Sequence, residues 1–113
     1  MRQKKWLTTD PFMASMLVMC MQTMADRVRW LRETAGIGSR EAGRMVGLSN
    51  AYFYSLESGT SAPRAGTALD MADLFGCDVR WLVTGQGEPP DPDAVRAAVE
   101  RARVVQRATG TDD

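Results

Sequence analysis

Few side chains in this sequence can do chemistry. The chain of 113 residues has no His, which removes His-centred triads and His metal sites. Its two thiols, Cys20 and Cys77, cannot supply the four Cys or His ligands of a structural zinc site. They read as buried free thiols of a reducing cytoplasm, a single disulfide being the other arrangement two cysteines allow. Gly85-Gln86-Gly87 is no phosphate loop, because a following glycine and a preceding strand are missing. No nucleophile–base pair is visible, so neither catalysis, a metal nor a cofactor is expected. What remains is recognition by hydrogen bonding. Placed on a helical wheel, Tyr52, Phe53 and Leu56 cluster on one side of residues 50–58. Asn50, Ala51, Tyr54, Ser55 and Ser58 gather on the other. That second face carries an amide, hydroxyls and a methyl, without the long Lys and Glu chains that solvate an ordinary helix surface. It suits close approach to another surface.

Those side chains need a scaffold, and the sequence punctuates one. A first helix over residues 25–35 carries Val28 and Leu31 on one face and stops at Gly36. A second runs over residues 39–46 and ends before Gly47. The third starts after the N-cap residue Ser49 and ends at Gly59. The fourth covers residues 65–75, offers Leu69, Met71, Ala72 and Phe75 to a core, and ends at Gly76. A short fifth carries Val79, Trp81, Leu82 and Val83 before Gly85. No segment alternates as a strand bounded by hairpin signals. The fold class is therefore all-α: five helices over residues 25–89, preceded by a basic tail and Met-rich extension (1–24) and followed by an amphipathic helix and polar tail (90–113).

The run from Gly38 to Gly59, GSREAGRMVGLSNAYFYSLESG, resembles the helix-turn-helix of the Cro/λ-repressor (Xre) family. The likeness extends from about Ala25 to Pro89, taking in the upstream DRVRWLRE helix and the downstream DVRWLVTG ending. Two helices joined by a tight turn must pack closely, so Gly43 is the small residue at their crossing and Gly47 the turn residue. Ala42, Val46, Leu48, Phe53 and Leu56 fill the wedge between them. The resemblance implies a third helix in the major groove of double-stranded DNA, with Asn50, Ala51, Tyr54 and Ser55 facing bases. It implies phosphate contacts from Arg40 and Arg44, four apart on the second helix, and from Arg64 in the loop after the third helix. Ser39 stands where the family often has a Gln that touches the backbone; it either takes that contact or caps the second helix. The family also pairs an Arg of the first helix with an acid near the end of the third, which here are Arg32 and Glu57. Trp81 is expected to anchor the fifth helix in the core.

Charge and flanks complete the expectations. Fourteen Lys and Arg balance 14 Asp and Glu, and within residues 25–89 seven Arg face eight acids. Phosphate neutralisation supplies much of DNA affinity, so affinity per subunit should be modest. Arg2, Lys4 and Lys5 precede an apolar stretch, but Asp10-Pro11 interrupts the segment and no small-x-small cleavage site follows. The stretch is short of the ~20 residues that span a bilayer. A cytoplasmic protein without a membrane partner is expected, with translation starting at Met1 or, alternatively, at Met21 or Met24. Phe12, Met16, Met19, Cys20 and Met24 recur at helical spacing, and Trp30 stands where the family usually has a polar surface residue. Val95, Ala98, Val99, Ala102 and Val105 form a narrow stripe that either packs back on the domain or meets its copy. Phe12, Met16, Met19, Trp30, Val95 and Val99 are thus candidates for a homodimer or protein-partner surface. The expected function is transcriptional regulation by a DNA-binding homodimer with half-sites ~34 Å apart. The alternative is an antitoxin-like or adaptor protein that uses the same fold to bind a protein.

Overall fold

The structure, a computed structural model, describes residues 23–109. It consists there of six α-helices: α1 (Met24–Ala35), α2 (Ser39–Met45), α3 (Asn50–Ser58), α4 (Ala65–Phe75), α5 (Val79–Thr84) and α6 (Pro92–Thr109). The Met-rich stretch with Phe12, Met16, Met19 and Cys20 lies outside the described residues. No helix among those described is long and apolar enough to cross a membrane.

Local chemistry sets the helix ends. Thr23 starts α1 with a capping box: its hydroxyl accepts from the Asp26 N–H at 3.0 Å, and the Asp26 carboxylate accepts from the Thr23 N–H. Ser49 caps α3 by accepting from the Tyr52 N–H at 3.1 Å, as its place in the sequence predicts. Ser39 does not cap α2. It is the first helical residue, Gly38 holds the cap position, and no side chain bonds the cap.

The core forms where the helices cross. Val28 and Leu31 of α1, Phe53 and Leu56 of α3, Met71 and Phe75 of α4, and Trp81 and Leu82 of α5 are all buried in it. Leu69 corrects the expected core: it is 51% exposed, on the outer side of α4. Trp30 is half-buried and meets Trp81 edge-to-face, with ring centroids 6.3 Å apart and an interplanar angle of 71°. Arg27, an unremarkable charge in the sequence, is buried. Its Nε donates to the Leu82 carbonyl at 2.8 Å and its Nη2 to the Val83 carbonyl at 3.1 Å. It thereby satisfies last-turn carbonyls of α5 that have no partner within that helix.

The C-terminal helix corrects a second expectation. Val95 and Val99 are 0% and 2% exposed and lie within the core, against α1 and α4, rather than on a surface open to a partner. Ala98 is buried with them and Ala102 half-buried, while Val105 leaves the stripe and is 60% exposed. The burial of two valines stabilises this docking by a few kcal/mol, at about 1.5–3 kcal/mol per side chain. Gly76, at the end of α4, makes the approach possible. It has φ +68°, and a Cβ there would lie 2.8 Å from the Cβ of Ala98. Gly76→Ala therefore combines left-handed backbone strain with a clash against α6. We expect a loss of about 2–3 kcal/mol in urea unfolding, with α6 the first segment to lose amide protection.

Candidate nucleic-acid interface

The turn between α2 and α3 is built on close contact. Gly43 is buried, and a Cβ on it would sit 3.2 Å from the Phe53 Cβ and 3.3 Å from the Leu48 carbonyl oxygen. The Leu48 N–H donates to the Gly43 carbonyl at 2.7 Å, and Gly47 takes the turn at φ +77°. Phe53 and Leu56 then seat α3 in the core, which fixes the direction of its other face.

That other face points outward. Asn50, Ala51, Tyr54 and Ser58 are exposed, Tyr54 at 66%. Ser55 is half-buried, and its hydroxyl donates to the Tyr52 carbonyl at 2.7 Å. Its oxygen can still accept, but its proton is committed. The Ser55 carbonyl in turn accepts from the Thr60 and Ser61 N–H groups, so Ser55 also ties down the end of α3.

The only acid of α3 is turned away from this face. Glu57 is buried and accepts from the Arg32 Nε of α1, while the Arg32 Nη1 donates to the Ile37 carbonyl at 3.1 Å. The Arg32 and Glu57 side chains are 18% and 9% exposed. One interaction therefore clamps α3 to α1 and leaves the outward face free of negative charge.

The expected cations flank α3 differently. Arg40 and Arg44 are exposed on α2; Arg64 is exposed at the start of α4, in a recess with Gly47, Leu48, Ser49, Tyr52 and Thr67. No hydrogen bond or ion pair joins any of the three to another described residue. Other arginines are engaged: Arg29 with Asp26 at 2.8 Å, Arg96 with Asp93 at 2.7 Å, and Arg103 of α6 with Glu41 of α2. Arg103 donates from Nε and Nη2 to the two Glu41 oxygens at 2.9 and 3.0 Å. These bonds, and then the nearby charges of Arg103, Arg44 and Arg107, hold the Glu41 carboxyl below its ordinary value despite its partial burial. A contact across 62 residues leaves no local sequence signal. Arg27 leaves none either: it reads as one more charge of the first helix, and its partners, the Leu82 and Val83 carbonyls, lie 55 and 56 residues away.

Among the described residues, no group of three His, Cys, Asp or Glu could hold a metal ion. Cys77 is a free thiol whose pKa is pushed up to about 12, first by burial and then by Asp78, which keeps it in the unreactive thiol form. The arrangement offers an outward hydrogen-bonding face with exposed guanidinium groups on the neighbouring elements.

Breaking the clamp on one side leaves a buried charge without its partner. Arg32→Ala should cost about 3 kcal/mol in chemical denaturation, and Arg32→Leu with Glu57→Leu distinctly less. A double variant as unstable as the single one would show that packing, not the pairing, sets the loss.

A family profile described as a helix-turn-helix domain matches residues 23–80, just over half of the chain. No curated protein and no solved structure matches. The matched segment contains α1 to α4 and the turn built on Gly43 and Gly47, and with no strand among the described residues the fold is the all-α helix-turn-helix fold. On the profile match and the geometry together, the chain belongs to the helix-turn-helix domain family.

Proposed function

We propose that the protein is a sequence-specific, double-stranded-DNA-binding transcriptional repressor of the Cro/λ-repressor (Xre) type, acting in the cytoplasm as a homodimer without catalysis. In this reading residues 25–89 form the DNA-binding unit, with α3 entering the major groove. Asn50 takes an adenine edge through two hydrogen bonds, Ala51 meets a thymine methyl, and Tyr54 reaches bases or phosphates. Ser55 contributes as an acceptor only. Ser39, Arg40, Arg44 and Arg64 contact the DNA backbone.

The observation that carries this reading is the outward face of α3. It exposes an amide, a methyl and a phenol, its single acid is drawn inward by Arg32, and the exposed Arg40, Arg44 and Arg64 form no hydrogen bond or ion pair with another described residue. Few backbone cations imply modest affinity per subunit, which two half-sites bound by a dimer would raise.

The test contrasts a base contact with a backbone contact. Asn50→Ala should weaken binding to the preferred site by about 1–3 kcal/mol and relax the preference at one position. Arg44→Ala should weaken all duplexes alike and lower the salt slope by about 1. Unchanged site preference in Asn50→Ala, measured by competition among variant duplexes, contradicts the assigned register. A folded chain that ignores duplex DNA but retains a protein partner would support the adaptor alternative instead.

A further inference from the structure

One recess serves neither the core nor the outward face of α3. It lies between α2 and the last turns of α6, has a volume of about 220 Å³, and is lined by Glu41, Arg44, Arg103, Gln106 and Arg107. Uncompensated, Glu41 would repel a phosphate from Arg40 and Arg44, its neighbours on α2. Arg103 prevents this by engaging both carboxylate oxygens, in the planar fork that guanidinium and carboxylate share. Among the described residues no hydrogen bond or ion pair engages Arg44, and Arg107 is 65% exposed on its side chain, with Glu100 no closer than 3.8 Å. Glu100 also approaches Arg103 at 3.6 Å. Three arginines therefore meet two glutamates, and the two cations left facing solvent come from different helices.

We infer that this recess receives a backbone phosphate of bound duplex DNA, held between Arg44 and Arg107, with Arg103 as the positioning residue that cancels the charge of Glu41. The inference rests on the duplex-binding reading above. It makes α6 a DNA-contacting element, although the matched helix-turn-helix segment ends at residue 80. It also gives the otherwise unexplained Glu41 a defined state: a neutralised neighbour of the phosphate, not a repulsive one.

The test titrates the full chain into a labelled random-sequence duplex and follows anisotropy between roughly 50 and 200 mM salt, where backbone contacts dominate. Arg107→Ala, at a side chain that is 65% exposed, should lower affinity about fivefold and reduce the log–log salt slope by about 0.9, one phosphate contact. Arg103→Ala should lower affinity similarly, and adding Glu41→Gln to it should return affinity to about the wild-type value. A role of Arg103 in folding alone would give no such rescue, so a loss that Glu41→Gln leaves unrepaired overturns the positioning role. Wild-type affinity and slope in Arg107→Ala overturn the recess as a phosphate site while leaving the duplex-binding reading intact. A folded wild-type chain with no duplex affinity at the lowest salt overturns both.

Discussion

The ion pair between Arg32 and Glu57 decides what the third helix presents. Left in solvent, the Glu57 carboxylate would put negative charge at the end of a helix whose other outward groups are neutral. Drawn into the core and bonded to the Arg32 Nε, it becomes a tether between α1 and α3. Such a pair contributes little net stability, because desolvating both charges offsets most of their attraction. Its consequence is geometric. It fixes the rotation of α3 about its own axis, together with Phe53 and Leu56, and so fixes which side chains leave the surface.

Everything else in the fold supports that orientation from a distance. Close approach at Gly43 sets the separation of α2 and α3, and the Ser49 cap fixes where α3 begins. Arg27 holds α5 to α1 through backbone carbonyls, bringing Trp81 beneath Trp30. The α6 helix closes the opposite side of the core through Val95 and Val99, and it reaches α2 through Arg103. A helix outside the matched segment is thus part of the same packed unit.

Much of this is legible in the sequence because the signals are local. Ser49 and Gly59 bound α3, Gly36 and Gly76 end their helices, and the wheel of residues 50–58 separates Phe53 and Leu56 from Asn50, Ala51 and Tyr54. The pairing of Arg32 with Glu57 follows from family resemblance, not from spacing. What the sequence leaves undecided depends on long-range packing. An apolar stripe does not say what covers it, so Val95 and Val99 fit a dimer as well as a core until α6 is seen against α1 and α4. Leu69 reads as core by type, yet helical periodicity places it on the outer side of α4. Arg27 and the Glu41–Arg103 fork belong to surfaces that exist only once distant helices meet.

The central claim is that the outward face of α3 reads DNA sequence, and selecting bound fragments from a random duplex pool at ~150 mM salt tests it most directly, because weak nonspecific contacts are largely suppressed there. A sequence reader acting as a dimer enriches a palindrome whose half-site centres lie about one helical turn apart, and Asn50→Ala alters the enriched bases. A folded, monodisperse chain that enriches no sequence would contradict that claim.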